Sequence, residues 1–263
     1  MAILQEFDRP YNRLAAWMKG SREAGPREYN LLMDFLTIRA SNPGPLTLRG
    51  TNTYVVGGTV VDPGPDDERH LEEILAAGPV QRIALTHRHP DHSAGAGRLS
   101  ELSGAPVLAH GVGLEDGGLL APGLVCIHTP GHASGHLCFW HPESGTLLSG
   151  DLIAGSGSIM IAPPEGDLVA YVTSLERVWA LSPARILPGH GPEVTDAVAK
   201  IEEYLDHRRE REERVVSALE EGASTVGEVV TLAYRDTPPE MRPYADLAAR
   251  AHLAKLGRDL PTV

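Results

Sequence analysis

The hydrophobic positions of the chain follow two periods, one typical of strands and one typical of helices. Residues 46–61 alternate between apolar and polar side chains and predict a β-hairpin. Residues 66–77 place apolar side chains on one helical face, and the apolar run 82–86 predicts a buried strand. Further elements predicted before residue 196 are a helix at 97–103, strands at 107–109, 124–128, 137–140 and 146–149, a helix at 168–181 and a strand at 185–187. Strands interleaved with helices predict a layered α/β architecture.

The two ends of the chain differ from this central region. Residues 1–40 are polar and predict a partly helical lead-in that packs against the domain. After residue 196 the composition becomes more charged, and the pattern predicts a long helix at 197–221 and two shorter ones at 225–234 and 241–256. The predicted division is a lead-in at 1–40, a central α/β domain at 41–196 and a small helical, winged-helix-like module at 197–263.

Length and composition favour a globular protein. The 263 residues are 42% hydrophobic, enough to bury a substantial core. No apolar run approaches the roughly 20 residues of a membrane span, and the first ten residues lack the pattern of a signal peptide, so we expect a cytoplasmic protein. Cys126 and Cys138 lie inside apolar runs, which predicts buried free thiols rather than a disulfide.

The charge of the chain bears on its partners. A net charge of −12 disfavours nonspecific attraction to nucleic-acid phosphates. In the C-terminal region, Arg208, Arg209, Arg211 and Arg214 alternate with glutamates, which is typical of a solvated, salt-bridged helix face. Sequence-specific DNA binding by this module is therefore disfavoured.

Seven histidines and aspartates form the candidate chemistry of the chain. Four of them fall within six positions, and each of the other three has a glycine next to it: His87, His89, Asp91 and His92, then His132, Asp151 and His190. Imidazole and carboxylate suit Zn²⁺, and a set without thiolate also admits Mn²⁺ or Fe²⁺. The sequence therefore predicts a site for divalent metal ions.

The spacing of these residues resembles the metallo-beta-lactamase superfamily over about residues 40–195. The motif HxHxDH, followed by Pro-Gly-His, Gly-Asp and Pro-Gly-His, carries the resemblance. It implies a four-layer αββα sandwich that holds two metal ions, most simply zinc. It assigns His87, His89 and His132 to the first metal, Asp91, His92 and His190 to the second, and Asp151 to both as a bridge.

The implied chemistry is hydrolysis by a hydroxide that bridges the two metals. Asp91 is the expected general base, because its carboxylate can orient that nucleophile and accept a proton. An aspartate rather than a cysteine at the bridging position argues against β-lactam hydrolysis. A metal-stabilised binding protein without catalysis is disfavoured, because seven ligands shared by two ions leave open positions for water and substrate.

A narrower resemblance suggests the substrate. The segments 42–54, 161–167 and 207–211 are similar to the lactamase-beta-2-like subgroup, which includes endoribonucleases and polyketide-pathway thioesterases. Our first hypothesis is a phosphodiesterase that cleaves single-stranded RNA. The negative net charge is compatible with such a substrate, because two metal ions would add local positive charge. The alternative is an acyl-thioester hydrolase, either glyoxalase-II-like or of the polyketide type.

Other residues near the motif are candidates for supporting roles. His136 is a candidate for a catalytic or substrate contact, or for a hydrogen bond to a ligand, and the alternative is an ordinary strand residue. Asn52 and Thr53 are expected to border the substrate pocket. Asp62, in an acidic turn after a predicted strand, is expected to support the metal site by hydrogen bonding.

Overall fold

The computed structural model of the chain describes residues 35–238 and 241–262. The helical lead-in predicted for the N-terminus falls largely on residues 1–34 and so lies outside the described residues. Within the remainder of that segment, Leu36–Arg39 forms a strand, β1, that pairs with the next strand of the chain. Residues 36–39 therefore belong to the first sheet.

Ten further strands follow β1 in the described residues. They are β2 Asn52–Val56, β3 Thr59–Val61, β4 Arg82–Ala84, β5 Val107–His110, β6 Gly113–Leu114, β7 Leu119–Ala121, β8 Leu124–His128, β9 Leu137–His141, β10 Thr146–Gly150 and β11 Arg185–Pro188. The described helices are α1 Glu68–Ala76, α2 Pro90–Ser93, α3 Ala96–Ser103, α4 Leu168–Trp179, α5 Ala197–Glu220, α6 Val226–Ala233 and α7 Arg242–Lys255.

The strands form two mixed sheets. The first has the order β1-β2-β3-β4-β5-β6 and the second the order β11-β10-β9-β8-β7. The hairpin β2–β3 turns at Gly57 and Gly58, both at positive φ, as the sequence predicts. β3 and β4 are parallel, as are β10 and β11, so the ends of each pair reach the same edge of their sheet.

Alternating side chains on the strands create three layers of core. In β8, Cys126 faces the first sheet and contributes to the core between the sheets, whereas Val125 and Ile127 face the helices on the other side. The outer face of the first sheet packs against α1 and α3 through Leu71 and Leu99. α4 and α5 cover the outer face of the second sheet, which completes the predicted αββα sandwich.

Helix α5 belongs to two cores. Its first half contributes Ile201 and Tyr204 to the core against the second sheet, and its second half contributes Val215 and Ala218 to a separate core with α6 and α7. The predicted domain boundary at residue 197 places all of α5 in the C-terminal module, whereas the first half of this helix packs against the second sheet. The helix connects the C-terminal module to the sandwich.

The expectation of a solvated arginine face on α5 holds for only part of the helix. The side chain of Arg209 is 67% exposed and pairs with Asp206. Arg208 is buried, because it lies on the side of α5 that packs between the two cores. Both cysteines are buried free thiols, as predicted. No helix of the described part of the chain is long and apolar enough to cross a membrane.

Candidate metal centre

Loops at one edge of the two sheets bring the seven ligand-type residues together. Parallel strands end at the same edge, so residues that follow β4, β10 and β11 converge there. The seven residues lie at these positions: His87 after β4, His89 just before α2, Asp91 and His92 in α2, His132 between β8 and β9, Asp151 after β10 and His190 after β11.

Three imidazoles form the first group. His87, His89 and His132 each offer one nitrogen, and these nitrogens all lie within 4.8 Å of one another. Nδ1 of His89 is 3.0 Å from Nε2 of His87 and 2.9 Å from Nε2 of His132. This is the set that the resemblance assigns to the first metal.

The second group combines Asp91, His92 and His190, with its donor atoms again within 4.8 Å. Nε2 of His190 lies 3.2 Å from Nε2 of His92 and 3.2 Å from Oδ2 of Asp91. Both imidazoles are buried, whereas the Asp91 side chain is 29% exposed. Asp91 is therefore the most exposed member of this group.

Asp151 lies between the two groups. Its Oδ2 is 3.6 Å from Nε2 of His132, and its Oδ1 is 3.4 Å from Nε2 of His92 and 3.4 Å from Nε2 of His190. One carboxylate oxygen therefore faces each group. This is the arrangement that a bridging ligand requires.

The donor set fits divalent cations better than it fits an ordinary hydrogen-bond network. Facing imidazole nitrogens at about 3 Å repel unless a proton or a cation lies between them, and one proton on His89 Nδ1 cannot serve two partners equally. Oδ1 of Asp151 is buried and forms no hydrogen bond within the described residues. A buried carboxylate oxygen without a partner is costly, and a cation between the groups would satisfy it.

The outward nitrogens of the imidazoles are held by acceptors. His92 Nδ1 donates to Oδ2 of Asp62 at 2.8 Å, and His132 Nδ1 donates to the carbonyl of Met160 at 2.9 Å. His87 Nδ1 donates to Oγ1 of Thr86, which in turn donates to Asp62 at 2.6 Å. These bonds place the proton on the outward nitrogen and leave the lone pair of Nε2 facing the site.

Burial and the mutual contacts of the cluster set its charge state. Burial lowers the pKa of His132 and lowers that of His87 well below its ordinary value, which keeps both rings neutral. Burial opposes ionisation of Asp151, yet the neighbouring His92 and His190 outweigh it and hold its pKa well below the ordinary value. His87 and His132 thus offer neutral imidazoles and Asp151 an ionised carboxylate, the ligand forms that metals bind. Although burial opposes them, the neighbouring carboxylates raise the pKa of His92 well above its ordinary value and that of His190 to about 9.

The structure buries His136 away from the pocket, which corrects the expectation of a substrate contact. Its side chain is fully buried, with Nδ1 at 2.9 Å from Thr129 Oγ1. Nε2 accepts the backbone N–H of Asp151 at 3.1 Å. Burial lowers the pKa of His136 to about 3, so the ring stays neutral and keeps this acceptor. His136 therefore fixes the backbone of the bridging carboxylate.

Asn52 and Thr53 also lie away from the pocket, contrary to the expectation from the sequence. Asn52 is 5% exposed, and its Nδ2 donates to the carbonyls of Pro188 and Gly191, both at 2.9 Å. Thr53 is fully buried and donates to the carbonyl of Asp62 at 2.6 Å. Both residues hold the backbone beside a metal-site residue instead of contacting substrate.

Three residues of the site are not individual candidates from the sequence. Thr86 links His87 to Asp62 by hydrogen bonds, and the carbonyl of Met160 accepts from His132. Oε2 of Glu165 lies 3.4 Å from Nε2 of His89. Thr86 immediately precedes the histidine motif, and Glu165 lies in the segment 161–167 that resembles the subgroup. The position of Met160 carries no sequence signal, because the acceptor is its backbone carbonyl.

Gly131 controls the position of His132 and gives a direct test of the geometry. Its φ is +137°, and a Cβ would lie 2.3 Å from the Cα of Tyr171. We expect Gly131→Ala to lower the free energy of unfolding by about 2 to 4 kcal/mol and to weaken metal binding. Chemical denaturation and metal titration measure both effects. Gly135→Ala is the control, because its new Cβ would lie no closer than 3.7 Å to another atom, and its stability and metal affinity should stay near those of the wild type. Equal losses in the two variants would contradict the role of Gly131 in positioning His132.

Comparisons with known proteins agree with the fold. Residues 46–121 and 111–190 match the Metallo-beta-lactamase superfamily, and residues 225–259 match the Beta-lactamase associated winged helix domain. The chain therefore belongs to the metallo-beta-lactamase superfamily, which is a superfamily of hydrolases. Its small C-terminal module is a winged helix, as the sequence suggests.

Individual relatives cover most of the chain. A beta-lactamase-like protein 2 homolog from Caenorhabditis elegans is 34% identical, with 87% of this chain and 86% of the relative covered. An atrochrysone carboxyl ACP thioesterase from Aspergillus chevalieri is 32% identical, with 78% and 74% covered. The crystal structure of a metallo-beta-lactamase family protein from Thermus thermophilus superposes with a TM-score of 0.72 at 25% identity, covering 85% of this chain and 94% of that one.

Proposed function

We propose that the protein is a dinuclear metal-dependent hydrolase of acyl thioesters. Zinc is the simplest choice for its imidazole and carboxylate ligands, with manganese or iron as alternatives. His87, His89 and His132 would hold one ion, Asp91, His92 and His190 the other, and Asp151 both. When bound, the two ions would lower the pKa of a water molecule and polarise the carbonyl of the substrate.

The residues that line the pocket support an acyl thioester as the substrate. The pocket measures about 520 Å³ and borders the metal-site residues. Around them its lining is largely apolar: Pro45, Leu46, Leu48, Ala154, Ile159, Met160, Pro238 and Met241. No lysine or arginine occurs among the described residues that line it. Such walls suit an acyl or aromatic chain, because they bury apolar surface without leaving polar groups unpaired.

The same pocket is poorly suited to an RNA backbone. Channels for single-stranded nucleic acid combine positive side chains with aromatic rings on which bases stack. Here the side chain of Glu165 stands 53% exposed beside His89, and the formal charge of the chain is −12. The named relative of this superfamily that acts on a thioester, the ACP thioesterase, supports the same choice.

Asp91 is the proposed proton acceptor. Burial raises the pKa of its carboxyl, but the hydrogen bond from His190 and the nearby His92 outweigh that effect and lower the pKa below the ordinary value. The carboxylate is therefore ionised at neutral pH and faces the pocket, where it would orient the attacking water and accept its proton. His136 and Thr86 hold the backbone and the imidazoles in place around it.

Comparing substrates on one metal-loaded sample tests the proposal. We expect kcat/KM for an acyl thioester to exceed that for single-stranded RNA of matched concentration by at least about a hundredfold. Lactoylglutathione serves as the third substrate, which separates a glyoxalase-II-like activity from a general thioesterase. Metal content is measured on the same sample.

The RNA hypothesis from the sequence stays a prediction that this experiment decides. RNA cleavage that outpaces every thioester would overturn the proposal and favour an endoribonuclease. A metal-loaded protein that is inert on all three substrates would contradict both activities.

A further inference from the structure

A second cavity lies beside the metal pocket, where α5 meets the winged-helix module. It measures about 180 Å³. The segment 158–160 forms a wall of both cavities, as do Pro238 and Met241. The same segment connects to both sites, because Met160 accepts from His132 while the carbonyl of Ile159 accepts from Arg208. The two cavities are therefore neighbours that share this segment as a wall.

Arg208 presents a buried positive charge to the cavity. The residue is 8% exposed, and no carboxylate of the described residues lies within 4.0 Å of its guanidinium. Its Nη2 donates to the carbonyl of Ile159, and its guanidinium carbon lies 4.9 Å from the centre of the Tyr171 ring. Nε has no hydrogen-bond partner among the described residues. A buried arginine is normally paired, because an uncompensated charge in the interior is costly.

Three other buried polar atoms in the lining lack partners within the described part of the chain. They are Oη of Tyr234, Nδ1 of His252 and Nδ1 of His207. Tyr234 is 7% exposed and His252 is 2% exposed, and the nearest carboxylate to His252 Nδ1, on Glu212, is 3.9 Å away. Burial, with Arg208 adding to it, lowers the pKa of His252 to about 3 and that of His207 to about 4. Neutral imidazoles and a phenol are suitable donors to an anion.

Among the described residues of the lining, the one acidic side chain does not neutralise Arg208. Asp236 binds Arg211 at 3.0 Å and also binds Arg214. Its charge is therefore shared between two other guanidinium groups. The described residues of the lining therefore keep an excess of positive charge and several polar atoms without hydrogen-bond partners.

We propose that this cavity is an anion-binding subsite that takes an oxyacid group, phosphate or carboxylate. Arg208 Nε, Tyr234 Oη and the imidazoles of His207 and His252 would hold the oxygens. The subsite would bind the anionic end of a substrate whose reactive bond lies at the metal centre. That use rests on the proposed thioesterase function, whereas anion binding itself does not.

Titration of the zinc-loaded protein with inorganic phosphate, and separately with acetate, tests anion binding. The ring signals of His207 and His252 in NMR spectra report this cavity and not the metal centre. We expect saturable shifts, and an affinity about tenfold lower in Tyr234→Phe, which loses one donor to the anion. The anion that binds more tightly identifies the preferred oxyacid group.

Tyr234→Phe keeps the ring that stacks 4.5 Å from the Arg211 guanidinium, and it removes a hydroxyl without a partner in the described residues. A purely structural role thus predicts no loss of phosphate affinity. Tyr204→Phe is the matched control, since its hydroxyl accepts the N–H of Ala154 at 2.9 Å, so stability should fall while phosphate affinity is kept. Absence of saturable shifts, or an unchanged affinity in Tyr234→Phe, would overturn the subsite.

Two thioesters with the same acyl group test the use of the subsite. One carries a phosphate on its thiol carrier, and the other is the neutral N-acetylcysteamine thioester. In Tyr234→Phe we expect KM to rise about tenfold for the phosphate-bearing substrate alone. Equal KM values for both substrates in wild type and variant would refute the substrate role. Phosphate binding without any thioester hydrolysis would refute the proposed function and leave the subsite standing.

Discussion

Asp91→Asn is expected to lower turnover by about three orders of magnitude while the fold persists. The asparagine keeps the size of the side chain and one ligand oxygen, but it can no longer accept a proton. The side chain is 29% exposed at the pocket, so the substitution leaves no unpaired charge in the core. Steady-state rates, metal content and thermal unfolding on the same preparation measure the three consequences.

The metal content decides how this result is read. A variant that keeps both ions and loses turnover supports the proton role, whereas loss of the second ion would assign the effect to metal binding alone. Unchanged turnover would refute both roles of Asp91. Asp196→Asn is the matched control: it makes the same change of charge at the N-cap of α5, where asparagine caps as well as aspartate, and it should leave all three measurements unchanged.

The elements that deliver the ligands are predictable from the sequence because their patterns are local. The strands before His87 and His190 are buried apolar runs, and the helices between them have clear apolar faces. The sequence pattern does not predict strands β6 and β7, because two or three residues are too few to reveal a hydrophobic period. The four-layer order came from the resemblance alone, since periodicity within a strand does not say which sheet will cover it.

The candidate site, like the fold, is only partly predictable from the sequence. A dense cluster of metal-binding residue types is visible in one dimension, and the structure brings all seven together. The direction of a side chain is not visible there. Asn52 donates to the carbonyl of Pro188, 136 residues away in the chain. Arg208 is buried, although it lies in a helix segment whose charges alternate. Long-range packing determines the directions of both side chains, and neither a motif nor the composition predicts that packing.

Asp62 is the residue outside the ligand set whose substitution should have the largest effect. It follows β3 at a φ of +50° and is 2% exposed. Its two oxygens accept from the backbone N–H of Thr86 at 2.7 Å, from Thr86 Oγ1 at 2.6 Å and from His92 Nδ1 at 2.8 Å. With burial opposing them, the carboxylates of Asp151 and Asp62 raise the pKa of His92 well above its ordinary value. Because Oδ2 of Asp62 is an acceptor, it keeps a proton on Nδ1 of His92.

Asp62→Asn replaces one of these oxygens with an N–H₂ group in a place where the neighbours are donors. If the amide nitrogen faces His92, the ring must move its proton to Nε2, which then no longer offers a lone pair to the second metal. We expect affinity for that metal to fall about 10- to 100-fold and the free energy of unfolding to fall by about 2 kcal/mol. Metal competition titrations and denaturant unfolding measure the two losses, and ¹⁵N NMR identifies the tautomer of His92.

The alternative orientation of the asparagine gives the same stability loss for a different reason. If its oxygen faces His92, its N–H₂ group meets the backbone N–H of Thr86, and one buried donor is left without an acceptor. Asp67→Asn, five residues further along the chain at the N-cap of α1, makes the same change of charge and should alter neither property. An Asp62→Asn protein with wild-type metal affinity and wild-type stability would refute this role of Asp62, whose carboxylate is the only group of the described residues within hydrogen-bond distance of Nδ1.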